Sequence, residues 1–227
     1  MFRGDALFNR NPNEVHRTGS FKLPIQKDRT GKYKVPSNTT IFTCFTSDFF
    51  IEEADEWRKE VYRMMKERSD CHFFLTTKRI ERFHVSLPED WGDGYPNVTI
   101  AVTIENQRQA ELRLPIYTRL PILHKCILLE PLLEKVDVRK YLDHIEELVV
   151  GGESGPDARP CDYAWVLDLR EQAMVNQINF TFKQTGANFI KDGKNYHLDR
   201  RFHASQAKKA QINLFYRRLT YQKEESV

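Results

Sequence analysis

The sequence predicts an α/β protein, a partial (βα) barrel of about six parallel strands, preceded by an irregular segment and followed by a hairpin and a basic helix. Three observations carry the prediction. Six short runs rich in β-branched or aromatic residues begin near residue 40, stripes of helical period separate most of them, and each run is followed at once by polar or ionisable residues. Strand, helix and strand joined by short connections imply parallel pairing through right-handed crossovers.

Residues 1–38 carry Asn11-Pro12, Thr18-Gly19 and Thr30-Gly31, each a turn signal, and no independent core. The apolar stretch Phe21 to Ile25 is suited to packing on the body. The strand runs are Thr40–Phe45, His72–Thr76, Val98–Ile104, Lys125–Leu129, Glu147–Val150 and Ile178–Phe182. Several are almost continuously apolar, as expected of strands covered on both faces. Ala54, Trp57, Val61, Met64 and Met65 fall on one helix stripe. Trp165, Val166, Leu169 and Ala173 form another, with Asp162 placed to cap it. A barrel and an open doubly wound sheet both fit such units. The chain lacks GxGxxG and GxxxxGK[ST], which removes the usual nucleotide-binding open sheets and favours the barrel. After the last strand, Phe189 to Tyr196 reads as a hairpin turning at Asp192-Gly193. The expected division is therefore 1–38 irregular, 39–188 barrel, and 189–227 hairpin and basic helix.

A chain of 227 residues, 40% hydrophobic, can bury a sizeable core. No run reaches the roughly 18 apolar residues of a membrane span, and Met1 to Asp5 opens without a signal-peptide core. A cytoplasmic protein with no membrane partner is expected. Cys44, Cys71, Cys126 and Cys161 are too far apart for a CxxC knuckle. Cys44 and Cys126 sit within apolar runs and read as small buried hydrophobes. The histidines show no HExxH spacing, and His72 and His124 read as structural. Residues 183–227 carry 10 Lys and Arg against 4 Asp and Glu, a net +6, while the rest carries 25 against 28, a net −3. A basic tail bearing Arg200, Arg201, Lys208, Lys209, Arg217 and Arg218 on a near-neutral body suits a polyanion, so nucleic acid is a candidate partner.

The residues after the strands carry the chemistry. They are Thr46-Ser47-Asp48, Thr77-Lys78-Arg79, Glu105-Asn106-Gln107, Glu130-Pro131, Gly151-Gly152-Glu153-Ser154-Gly155 and Lys183-Gln184-Thr185-Gly186. In parallel α/β folds the strand carboxyl ends converge on the ligand crevice. Asp48, Lys78, Glu105, Glu130, Glu153 and Lys183 are expected around one mouth. Charges drawn into one crevice lose solvation unless they pair or bind something. Paired glycines at 151 and 152 would let backbone N–H groups approach an anion closely. Ser154 is not in a GxSxG elbow, because Pro156 stands where the last glycine would be.

Read in order, Cys44 to Phe50, Leu75 to Arg79, Val102 to Gln107, Leu129 to Leu133, Val150 to Pro160 and Phe182 to Gly186 resemble the phage-associated family named after phage gene products thirty-seven and sixty-eight. That family is itself similar to radical-SAM-type partial barrels. The resemblance covers residues 40–190 and reaches toward 215. It implies a [4Fe–4S] cluster and S-adenosylmethionine at the strand carboxyl ends. Gly151, Gly152, Glu153 and Ser154 would lie on the cofactor, with Ser47, Asp48, Lys78, Arg79, Glu105, Asn106, Glu130, Lys183 and Gln184 lining the substrate rim. The family's C-x6-C-x2-C motif is missing here, since residues 1–38 contain no cysteine. A cluster needs thiolates, so this chain is not expected to hold one. Either it starts at an internal methionine just after the cysteine loop, the favoured reading, or it is a degenerate member. The resulting expectation is a radical-SAM-like enzyme scaffold of unknown substrate. The alternative is a nucleic-acid binding or processing accessory acting through its basic tail.

Overall fold

A computed structural model describes residues 15–44, 47–217 and 219. The Asn11-Pro12 turn, Phe45, Thr46 and Arg218 lie outside them.

In chain order the elements are β1 (Thr40–Thr43), α1 (Asp55–Glu67), β2 (His72–Thr77), β3 (Val98–Thr103), α2 (Gln107–Tyr117), β4 (His124–Leu129) and β5 (Glu147–Gly151). They continue with β6 (Cys161–Asp162), α3 (Tyr163–Val175), β7 (Asn179–Gln184), β8 (Asn188–Lys191), β9 (Lys194–His197) and α4 (His203–Lys209). The main sheet runs β1-β2-β3-β4-β5-β7 and every pairing in it is parallel. The order never reverses. A doubly wound sheet needs a reversal, where the strand order switches direction. A sheet that grows one way through right-handed crossovers keeps its helices on one face and curls away from them. The architecture is a six-stranded half-barrel.

Two hydrophobic clusters correspond to the two faces. The large one joins alternate strand residues such as Phe73, Leu75, Ile100, Val102, Ile127, Leu129, Leu148, Val150 and Phe180 to Leu114, Val166 and Leu169 of the helices. The small one holds Phe74, Ala101 and Cys126, with Leu128 and Val149 packed against it. These side chains point into the hollow of the half-barrel, since successive strand residues face opposite ways. Phe42 meets Phe74 there, ring centroids 5.6 Å apart.

The helices follow the predicted stripes with one change. On α1, Met64 and Met65 are buried, whereas Trp57 and Val61 are only partly covered and Arg58 and Tyr62 take the deeper face. The terminal nitrogens of the Arg58 guanidinium donate there to the carbonyl of Phe49 at 2.6 Å and to the Asp55 carboxylate, while its buried Nε has no partner among the described residues. On α3, Asp162 accepts a hydrogen bond from the Ala164 N–H at 2.8 Å, as its position predicted. Two crossovers hold only a 3-10 turn: Ile80–Arg82 after β2 and Arg139–Tyr141 after β4. The first is filled instead by Phe83 and Tyr95 packed edge-on and tilted against Trp91, which itself meets Tyr62 of α1 edge-on.

The Asp192-Gly193 turn has both residues in the left-handed region, φ 51° and 72°. That geometry matches the strand twist of a two-residue hairpin and explains the pair. The sequence did not foresee that this hairpin pairs in parallel with β6 to make a second, three-stranded sheet. At the far edge of the main sheet, Phe180 exchanges backbone hydrogen bonds with Leu214, and Asn213 accepts from the Phe182 N–H. Before β1, Arg68 holds the irregular segment down. Its buried guanidinium donates to the carbonyls of Pro24 and Val35 and stacks 4.1 Å over the Tyr33 ring. No helix among the described residues is long and apolar enough to cross a membrane.

Candidate functional site

The strand carboxyl ends enclose a cavity of about 540 Å³ lined by Ser47, Asp48, Ile51, Thr76, Thr77, Lys78, Arg79, Thr103, Leu128, Glu130 and Lys183. The residues come from the ends of β1, β2, β3, β4 and β7. Of the six charges expected around one mouth, Asp48, Lys78, Glu130 and Lys183 line this cavity directly.

Their roles differ. Asp48 is buried and fully used by its surroundings. It accepts from the Phe50 N–H at 2.9 Å, the Thr77 hydroxyl at 2.8 Å and the Lys78 N–H at 2.7 Å. Arg79 approaches the same carboxylate at 3.2 Å. This side chain ties the end of β1 to the end of β2. Glu130 ties the end of β4 to β7: Lys183 donates to one oxygen at 2.8 Å and Gln184 to the other at 2.5 Å. Lys78 reaches Glu105 at 2.5 Å, and Arg113 of α2 reaches the other Glu105 oxygen at 2.6 Å. Burial pushes the Glu105 carboxyl up, but the two cations outweigh it and hold the group below its ordinary value.

Glu153 does not line the cavity. Its carboxylate folds onto Arg159, which donates through its side chain at 2.6 and 2.8 Å and through its backbone N–H at 2.8 Å. Those bonds pull the carboxyl down to about 2, with Lys78 adding a smaller electrostatic contribution. Asn106 is the cap of α2, accepting from the Gln109 N–H at 2.9 Å. Ser154 donates to Gln184 at 3.3 Å and lies 3.4 Å from the buried His203 ring.

The paired glycines are close-approach positions, and what approaches Gly152 is the chain itself. A Cβ on Gly152 would lie 2.7 Å from the Thr185 carbonyl carbon and closer still to its oxygen. Gly186, at φ +78°, presses on the Glu153 backbone in return. The two loops lock through Gly152 N–H to Gln184 and Ala187 N–H to Glu153, 3.0 and 2.8 Å. Gly151 instead faces the rim, where a Cβ would meet the Glu130 carboxylate and the Gln184 Cγ, each at 3.1 Å.

Sequence reasoning missed Arg113, Arg159 and His203 as partners of the rim. Arg159 stands six residues past Glu153 with no period to link them. His203 arrives from a distant helix. Arg113 sits one helix away from Glu105 and could have been found from two turns of α2. The basic tail does not join the cavity: Arg200, Arg201, Lys208 and Arg217 are exposed elsewhere.

The thiols do not fit an iron–sulfur cluster. Cys44 follows β1, Cys71 precedes β2, Cys126 lies within β4 and Cys161 within β6. Burial pushes Cys44 up to about 11 and Cys161 up to about 12, the reverse of what ligation by thiolate requires. Among the described residues no three His, Cys, Asp or Glu side chains gather as a donor set for a metal ion.

No curated protein and no solved structure matches the chain. One family model does, that of "Protein of unknown function (DUF5131)", and it spans residues 6–221, almost the whole half-barrel with its flanking segments. The half-barrel and its polar rim therefore belong to a member of the DUF5131 family.

Proposed function

We propose that the chain is a half-barrel enzyme scaffold whose rim cavity receives a small polar ligand bearing charges of both signs. S-adenosylmethionine, the ligand implied by the resemblance to radical-SAM-type partial barrels and their phage-associated relatives, is the first candidate. The observation that supports this reading is the convergence of Lys78, Arg79, Glu130 and Lys183 on one cavity of about 540 Å³ at the strand carboxyl ends. That volume lies within the roughly 300–1,000 Å³ range of small-molecule sites.

The charges are available for exchange. Lys78 and Lys183 are each close to half exposed in their pairs with Glu105 and Glu130. With these ammoniums open to solvent, a ligand carboxylate can replace a rim carboxylate on either lysine. Glu130 is then freed for an ammonium or sulfonium. Thr76, Thr77 and Thr103 offer hydroxyls along the wall, and Leu128 offers an apolar floor. Gly151 leaves the space in which Glu130 moves. The locked loop of Gly152, Glu153 and Ser154 shapes the cavity's border.

Isothermal calorimetry with S-adenosylmethionine tests the reading. Saturable binding is expected, weakened at least tenfold, about 1.4 kcal/mol, in the Glu130→Gln, Lys183→Ala double variant. Absence of saturable heat at millimolar ligand, or equal affinity in the variant, overturns it.

A further inference from the structure

A second cavity of about 470 Å³ opens away from the rim, where α3, β7, the β8–β9 hairpin and α4 meet. Its wall is aromatic. Tyr163, Phe182 and Phe189 form a continuous cluster, with Phe182 and Phe189 stacked at 6.0 Å and 28° and Tyr163 edge-on to Phe189 at 5.7 Å. Exposed Tyr196 closes the hairpin side. Two lysines stand at the cavity, Lys191 and Lys209, and no carboxylate is among its lining residues. Lys191 holds its ammonium 5.4 Å from the Tyr163 ring centroid.

We propose that this cavity binds a nucleoside monophosphate unit, with the base against the aromatic wall and the phosphate between Lys191 and Lys209. The inference goes beyond the rim reading and does not depend on it. Three properties of the site favour this ligand. Protein interiors are close-packed, so an aromatic-walled opening of this size is shaped for an occupant. Every nucleobase presents a planar face to an aromatic side chain, whatever its sequence. An unbalanced pair of ammoniums at the mouth of an apolar wall suits an anion carried by a flat ring. The Asp162 carboxylate, next to Tyr163 in the chain, is turned to the start of α3, where it accepts from the Ala164 N–H. The hydroxyls of Tyr163 and Tyr196 and the Gln206 amide remain for the base edge.

The open ring surface comes from Tyr163 of α3 and Tyr196 of β9, with buried Phe182 and Phe189 behind it, and Lys191 and Lys209 both stand in the basic C-terminal segment.

The unit can be a free nucleotide or the phosphorylated end of a strand. Calorimetry on the full chain separates the sources. The probes are adenosine monophosphate, adenosine, ribose 5-phosphate and a 5′-phosphorylated hexadeoxythymidylate. Binding of the monophosphate at least tenfold tighter than adenosine or ribose 5-phosphate is expected, since base stacking and the phosphate contacts each contribute about tenfold. Strand affinity above the monophosphate's assigns the strand end, and the reverse assigns the free nucleotide. Lys191→Ala and Lys209→Ala should each weaken binding about fivefold, and Tyr196→Ala by a similar factor. Lys208→Ala, beside Lys209 on α4 but outside the cavity, should leave it unchanged. All four side chains are exposed, so the fold tolerates these changes. Equal binding of ribose 5-phosphate, an equal loss in Lys208→Ala, or no binding of monophosphate or strand overturns the proposal.

Discussion

The Asp48 carboxylate shows how a rim residue can serve the fold first. Three donors, two of them backbone N–H groups and one the buried Thr77 hydroxyl, depend on it. Removing a buried acceptor leaves its donors unsatisfied, at roughly 1–3 kcal/mol for each group. Asp48→Ala should therefore destabilise the chain by about 3 kcal/mol in urea unfolding, and Asp48→Asn by less because one oxygen remains. A loss below about 1 kcal/mol would show that water replaces the carboxylate at this corner. Glu130 stands in contrast. Its partners Lys183 and Gln184 are long side chains with other options, and its own position faces the cavity. Glu130→Gln, which keeps the shape of this partly buried side chain and one acceptor oxygen, should cost less than about 1 kcal/mol. From sequence, both were acids just after a strand. Only their bonding partners separate them.

The joint between β5 and β7 depends on two loops that cross at backbone distance. Gly152 faces the Thr185 carbonyl and Gly186 faces the Glu153 backbone. Neither contact can open by rotating a side chain, since the obstacle is main chain in both cases. Gly152→Ala should destabilise by more than about 3 kcal/mol and lower the thermal midpoint by about 10 °C for a chain of this size. Gly151→Ala, whose Cβ meets only side-chain atoms of Glu130 and Gln184, should lower it far less. Similar shifts for the two variants would refute the assignment. The glycine pair was legible in the sequence as a close approach, and the partner was not. The Asp192-Gly193 turn was fully legible because its left-handed conformation is a property of the two residues themselves. The two-residue strand Cys161–Asp162 was invisible, since two residues carry no period.

The pH response belongs to the sheet as a whole. His72 lies buried on the hollow side of β2, 2.8 Å from the Thr99 hydroxyl, and its ring faces His124 at 6.1 Å. Burial, with the neighbouring His124 adding to it, lowers His72 from 6.5 to about 4. His124 is raised instead, chiefly by its bond to Glu146. Between about pH 6.5 and 4 the unfolded chain protonates His72 and the folded chain does not, so stability falls as the pH falls through that window. His124, raised in the fold, acts in the opposite sense near its ordinary value and adds no further slope well below it. Glu153 and Asp70, held down to about 2, act only below the ordinary carboxylate range. The loss between pH 6.5 and 4.5 should reach about 2–3 kcal/mol, and His72→Gln should flatten it. An unchanged slope in that variant would place the titrating group elsewhere.

The sequence by itself determined what is local: the six strand runs, the α1 and α3 stripes, the Asp162 cap, the hairpin turn and a polar residue after every strand. Each follows from the conformational preferences or the burial period of a few neighbouring residues. Tertiary structure decided the rest. It set a strand order without reversal, the pairing of β6 with β8, and the reach of Arg113, Arg159 and His203 into the rim from separate elements. It also set apart the acids that line the cavity, such as Glu130, from those folded onto a neighbouring arginine, such as Glu153. These depend on which distant groups share a few ångströms of space, and hydrogen bonds and ion pairs are decided at that distance. Spacing along the chain carries no record of it.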